Sequence, residues 1–177
     1  MADTARTKAA LAAILADNTS GAISPQDVRD FLETMHPAFG SLYFSSAAAT
    51  TISVAGTFYK AAGTTTQVSA NRFTVGTNRL TYTGTPTIHT HIAASYSMTT
   101  AGTNDILGIA IAKGGSVLTH SILKRKIGTG SDVGAAACHA DVSLATNEYI
   151  ELWVTNYDAT ATVTLDLGYL FILGMMV

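Results

Sequence analysis

His89 and His91 flank Thr90. Alternate side chains of a strand share a face, so the two imidazoles stand on one side, about 6.5–7 Å apart along the chain. Imidazole is an ordinary ligand for zinc, copper and nickel, and three copies of such a strand around an axis would offer six nitrogens to an axial metal. The competing reading is a polar pair on a solvated or inter-subunit face. It is the one taken, and no metal and no cofactor are expected. Cys138 and His139 bring a thiol and a base together in sequence, but strand neighbours point to opposite faces and cannot act on one another. A buried Cys138 and an outward His139 are expected instead. Lys124-Arg125-Lys126 is the one basic run. It reads as a charge-protected strand edge rather than a contact for nucleic acid or an acidic neighbour. No acidic residue lies between Glu33 and Asp105, whereas Lys60, Arg72 and Arg79 do, so that half of the chain is locally positive. Paired carboxylates with a pocket signature, a Gly-rich phosphate loop and a Ser/His/Asp motif are all missing from the sequence, so no enzyme is expected.

The histidines fall within a long series of strand patterns. From residue 41 onward every segment reads as strand or turn. Residues 42–44 and 52–54 are short strands, 57–60 follows, and 61–66 reads as a loop. Residues 79–83 form another strand. Residues 87–98 alternate throughout, with Ile88, Thr90, Ile92, Ala94, Tyr96 and Met98 on one side. Residues 105–113 lead through Gly114-Gly115 into 116–127 as a hairpin, and 133–145 is the next strand. The tail closes the series. Ile150, Leu152 and Val154 share one face, and Tyr149, Glu151 and Trp153 the other. A polar turn at 155–159 is expected to close a hairpin onto 162–173, which alternates at Val163, Leu165 and Leu167 before turning apolar on both faces. A strand apolar on both faces is buried on both. One face covers a sandwich core and the other needs a partner subunit. Tyr149, Trp153, Tyr169 and Phe171 are the expected contacts between copies, with ordinary sandwich core as the competing assignment. Ile109, Ile111, Ile150, Leu152 and Val154 are assigned to the core. Eight or nine strands with frequent turns and no intervening helix predict an antiparallel jelly-roll sandwich.

Two short helices precede the strands. Residues 4–16 are Ala-rich, with Leu11, Ile14 and Leu15 on one side. Ser24 caps a second helix, with Pro25 at its first position and Asp27 completing a capping box. Val28, Phe31, Leu32 and Met35 form its apolar stripe, and His36-Pro37 ends it. Such helices are not stable alone: they pack on the β domain, or they dock the protein to something else. Leu11, Leu15, Val28, Phe31 and Leu32 are the candidate anchoring residues. The expected division is a helical anchoring segment over 1–40 and a self-associating jelly roll over 41–177.

Composition agrees with an assembly component. Of the 177 residues only 12% are charged and 47% are hydrophobic, against about 25% charged in ordinary globular chains. Few charges remain to cover a monomer's surface. No apolar run reaches the roughly 20 residues of a membrane helix. A net charge of −2 implies no strong pull on nucleic acid or anionic membrane. One cysteine excludes an intrachain disulfide framework. The N-terminus lacks a continuous apolar core and is expected not to be a signal peptide.

Residues 78–84 (NRLTYTG), 109–115 (IAIAKGG) and 144–156 (LATNEYIELWVTN), with the closing run 168–172, resemble the trimeric jelly-roll modules of tailed-phage virion proteins. Those modules are distant cousins of complement globular-head and tumour-necrosis-factor modules. Residues 15–30 resemble the short entry segment of phage fibre and virion structural proteins. The resemblance implies a homotrimer in a phage particle and does not say where on it. The expected role is non-enzymatic: assembled in the host cytoplasm into a virion, the protein decorates the capsid or forms a head fibre beside the major capsid or other virion proteins. No receptor-like loop signature accompanies it, so receptor recognition is not carried over. The alternative is a tail or fibre module recognising a host-surface glycan.

Overall fold

The computed structural model describes residues 5–14, 23–130 and 132–176. Two helices, α1 (Lys8–Ile14) and α2 (Pro25–Met35), lead into the strands. In chain order these are β1 (Ala38–Ala47), β2 (Ala49–Thr50), β3 (Tyr59–Lys60), β4 (Gly63–Asn71), β5 (Phe73–Val75), β6 (Arg79–Tyr82) and β7 (Ile88–Thr100). After them come β8 (Ile106–Lys113), β9 (Ser116–Val117), a 3-10 turn (Thr119–Ser121), β10 (Leu123–Lys126), β11 (Gly134–Leu144), β12 (Tyr149–Asn156) and β13 (Val163–Met176).

The strands form two antiparallel sheets. The first runs β11-β7-β13-β1-β4 with β2 beside β13, and the second runs β10-β8-β12-β6-β5 with β3 on β12 and β9 on β8. Setting aside β2, β3, β5 and β9 and the edge strand β4, eight strands remain, and they pair as β1 with β13, β6 with β12, β7 with β11 and β8 with β10. First pairs with last, second with seventh, third with sixth and fourth with fifth. That nesting is one long hairpin rolled over a sandwich, the jelly roll, and it follows from the strand order alone.

Alternation places the core. Ile88, Thr90, Ile92, Ala94, Tyr96 and Met98 of β7 point inward, and they face Ile109, Ile111, Ile150, Leu152 and Val154 of the second sheet. Each large aliphatic side chain removed from water contributes about 1.5–3 kcal/mol. Gly40 has to be a glycine, because a Cβ there would lie 2.8 Å from Phe73 Cβ and 3.1 Å from Leu80 Cδ2. Gly40→Ala is expected to destabilise the fold by about 1–3 kcal/mol through overpacking, seen as a lower urea midpoint with an unchanged slope.

Several expectations need correction. The tail is not a hairpin: β12 lies in the second sheet and β13 in the first. Asn156 carries the chain across. Its Oδ1 accepts from the backbone nitrogens of Asp158 and Ala159 at 3.0 Å each, and its Nδ2 donates to the buried Asp105 at 2.7 Å. A polar turn looks the same in sequence whether it reverses a strand within a sheet or steps between sheets. Residues 63–66, read as loop, open β4, which pairs with β1 through Phe44↔Thr65 and Ser46↔Thr64. Its threonines line an exposed sheet edge and so show no apolar alternation. Residues 52–54 form no strand, although Ile52 is buried. The strand expected over 116–127 is broken after β9, because the buried Ser121 hydroxyl accepts from Ile111 N at 2.9 Å and donates to Leu118 O at 2.7 Å. The first strand begins at Ala38, inside the segment expected to be helical.

Helix α2 starts as expected. The Ser24 hydroxyl accepts from Asp27 N at 3.2 Å, and the Asp27 carboxylate accepts from Ser24 N at 2.9 Å. The Ser24 hydroxyl and backbone N–H together hold the Asp27 carboxyl below its ordinary range. A depressed carboxylate stabilises above its unfolded-state value, so this cap weakens as pH falls through the folded one.

Candidate interaction face

The outer face of the first sheet is apolar along its central strand. Leu165 faces inward, and a bulge between Leu165 and Leu167 shifts the alternation by one residue. Gly168, Leu170 and Ile172 then turn inward, while Leu167, Tyr169, Phe171, Leu173 and Met175 turn out. Leu167, expected to share a face with Val163 and Leu165, therefore stands 67% exposed, and Met175 is 70% exposed. Tyr43 of β1 and Ser95 of β7 lie opposite Tyr169 on either side. Together with Ser97, Ala135 and Leu167 they line an open cleft of about 610 Å³.

The same face continues onto the helices. Helix α2 is held by its polar side: Asp30, 1% exposed, accepts from Arg6 Nε at 2.6 Å. Arg72 on the sheet binds the Glu33 carboxylate at 2.7 Å, the Glu33 carbonyl, and the His36 carbonyl at 3.0 Å. Those polar contacts turn the apolar stripe outward. Val28, Leu32 and Met35 are 47%, 57% and 63% exposed, and Phe31 is half-buried. Leu11 is buried in α1, whereas Leu15 lies outside the described residues. Leu11, Phe31, Met35, Leu173 and Met175 line a second, apolar groove of about 600 Å³ where the helices meet the end of β13. A contiguous exposed apolar patch of this kind marks an interaction site.

The four aromatic residues expected at a trimer contact do not share one surface. Tyr169 and Phe171 lie on this face. Tyr149 and Trp153 lie on the outside of the second sheet and find their partners within the chain. The Arg79 guanidinium sits 4.4 Å over the Tyr149 ring. Trp153 Nε1 donates to Glu151 Oε2 at 3.0 Å, and Lys60 Nζ pairs with Glu151 Oε1 at 2.6 Å.

His89 and His91 do project from one face, with Thr90 buried between them. Antiparallel pairing brings two further residues beside them, because β11 sets Asp141 opposite His91 and Ser143 opposite His89. His91 Nδ1 donates to Asp141 Oδ1 at 2.8 Å, and His91 Nε2 lies 3.2 Å from His139 Nδ1, with the rings stacked at 5.3 Å. His89 Nδ1 is 3.4 Å from the Ser143 hydroxyl. The part played by His139 and Asp141 is not legible locally, since it depends on a strand register set about 50 residues away. Among the described residues no three His, Cys, Asp or Glu side chains are placed to hold a metal ion. Cys138 is buried behind His139, and burial pushes its thiol up against a smaller opposing pull from the Tyr96 hydroxyl, which leaves it a poor nucleophile. Lys124, Arg125 and Lys126 lie on the edge strand β10, with the Lys124 ammonium 3.9 Å from the Tyr157 ring centre. No described helix is long and apolar enough to cross a membrane.

No family model matches the sequence, and no curated protein resembles it closely enough in sequence to be matched. Among solved structures, the chain is similar to the PRD1 vertex protein P5, with 11% identity, 79% of this chain and 97% of that one covered, and a TM-score of 0.46. It is similar to the Eiger TNF of S. frugiperda, with 9% identity over 78% of this chain and 93% of that one, at 0.46. It is also similar to the globular domain of zebrafish complement 1qA, with 10% identity over 79% of this chain and 97% of that one, at 0.36. The jelly-roll assignment stands on the strand order of the chain itself.

Proposed function

We propose that this protein is a non-enzymatic structural component of a phage particle, a homotrimer that decorates or stabilises the capsid. Its copies meet through the outer face of the first sheet, and its N-terminal helices grip neighbouring shell subunits. The observation that carries the self-association is the outward row Leu167, Tyr169, Phe171, Leu173 and Met175, too much apolar surface on one sheet for a chain left alone in water. The anchoring role rests on α2, whose polar side is satisfied within the chain while Val28, Leu32 and Met35 face out. The phage context rests on the sequence resemblance. The mechanism is mechanical: each trimer buries apolar area at its own axis, each anchor adds contact between shell subunits, and the added area opposes pressure from packaged DNA.

Purified protein is expected to run as three copies by light scattering and to bind stoichiometrically to particles that lack it. Binding to host cells in place of particles would support the glycan-recognising alternative and overturn this one. Val28→Asp combined with Leu32→Asp is expected to abolish particle binding while leaving the trimer and its circular dichroism unchanged. If the variant binds as well as the parent, the helices are not the anchor.

A further inference from the structure

We infer that the self-association face is proton-gated: copies stay together while the His91–His139–Asp141 chain keeps both of its hydrogen bonds, and protonation of both rings drives them apart. The inference rests on the self-association proposed above and adds its regulation.

The geometry limits the protons. An ionised carboxylate only accepts, so the 2.8 Å contact fixes a hydrogen on His91 Nδ1. The 3.2 Å contact between His91 Nε2 and His139 Nδ1 then needs a hydrogen on one of these two nitrogens and a lone pair on the other. With both rings neutral the group carries the single negative charge of Asp141. One added proton, on either ring, neutralises the group and keeps both hydrogen bonds. A second makes both rings cations, sets two N–H groups against each other, breaks the His139–His91 bond and leaves a net positive charge on an exposed apolar face. Along the sheet His91 lies beside Leu173 and His89 beside Met175, so a second copy seated here desolvates the cluster. Burying an uncompensated imidazolium is unfavourable, whereas the singly protonated, neutral group is tolerated.

The charged and titratable neighbours do not supply the missing counter-charge. On β7 and β11 they are His89, 3.4 Å from the Ser143 hydroxyl, and Asp141, already bonded to His91. From β8, Lys113 reaches the Ser143 carbonyl at 2.8 Å and is paired with Glu148 at 2.8 Å. His120 lies in the 3-10 turn that packs against β11, and β10, which also packs against β11, carries the cations Lys124, Arg125 and Lys126. Lys8 and His36 line the groove beyond Leu173 and Met175. On β13 the residues paired with this part of β7 are Phe171, Leu173 and Met175, none of them charged.

Assembly that excludes a proton weakens as pH falls, by roughly tenfold in association constant per pH unit for each proton excluded. An imidazole ordinarily gains its proton between pH 7.5 and pH 5. The test is sedimentation velocity of the full chain at both pH values in physiological salt, with near-ultraviolet circular dichroism to follow folding. The parent is expected to be trimeric at pH 7.5 and dissociated but folded at pH 5. His139→Gln, whose amide donates to a neutral His91 Nε2 and accepts from a protonated one, is expected to remain trimeric at pH 5. A parent trimer that persists at pH 5 overturns the inference and leaves the trimer standing, as does equal dissociation of parent and variant. A monomer at both pH values removes the trimer itself and the inference with it. Should the variant not fold, ring-proton NMR of the parent decides the matter. Two separated titration steps for His91 and His139 support the shared proton, and independent single-step titrations overturn it.

Discussion

Tyr169→Glu is expected to yield a folded monomer. The side chain sits at the middle of the outward apolar row, flanked by Tyr43 on β1 and Ser95 on β7. In the free protomer it is 39% exposed, so a glutamate there stays hydrated and costs the isolated fold little. In the trimer proposed above the carboxylate is desolvated. None of the groups opposite it on β1 or β7 is cationic, and an uncompensated buried charge costs about 3–5 kcal/mol. At about 1.4 kcal/mol per tenfold, each contact weakens more than a hundredfold. Sedimentation at micromolar concentration then reports one chain instead of three, while far-ultraviolet circular dichroism keeps its β signature. Val54→Glu, on an exposed loop residue whose backbone bonds Tyr59 of the second sheet, serves as the control and is expected to leave the trimer intact. A trimeric Tyr169→Glu protein would mean that copies meet elsewhere, with the outside of the second sheet the next surface to test.

Lys60→Met is expected to produce the largest loss of stability from a single change outside the aliphatic core. Glu151 projects from the outside of β12, yet its side chain is only 4% exposed, and it is ion-paired with the Lys60 ammonium at 2.6 Å. The indole N–H of Trp153 supplies a further hydrogen bond at 3.0 Å. Removing the lysine strands a buried carboxylate and costs about 3–5 kcal/mol, whereas replacing both charges by apolar side chains of similar volume is close to neutral. The double variant Lys60→Met with Glu151→Met is therefore expected to recover most of the loss in a urea titration. If the single variant unfolds at the same urea concentration as the parent, the ion pair contributes nothing and the lysine is a surface residue.

Much of the fold was legible because alternation is a local property. The inward set of β7, the assignment of Ile150, Leu152 and Val154 to the core, the capping box of α2 and the opposite facing of Cys138 and His139 all follow from bond geometry over a few residues. Less of the candidate site was legible. Tyr169 and Phe171 do lie on an exposed face, but Tyr149 and Trp153 belong to the other sheet, because the chain changes layer after Asn156. The outward turn of the α2 stripe was open in sequence. It is decided by Arg72, which holds the helix by Glu33 and the backbone beyond it.

The sequence by itself determined the placing of most of the long strands, which side of each meets the core, and the presence of two capped or Ala-rich helical turns ahead of them. Steric preferences within a few residues leave little choice on those points. Only the tertiary structure decided that β12 and β13 separate, that a bulge between Leu165 and Leu167 turns an apolar row outward, and that His139 and Asp141 join His91. Those outcomes depend on which distant strand supplies the hydrogen-bond partners, a choice made by the packing of the two sheets against each other.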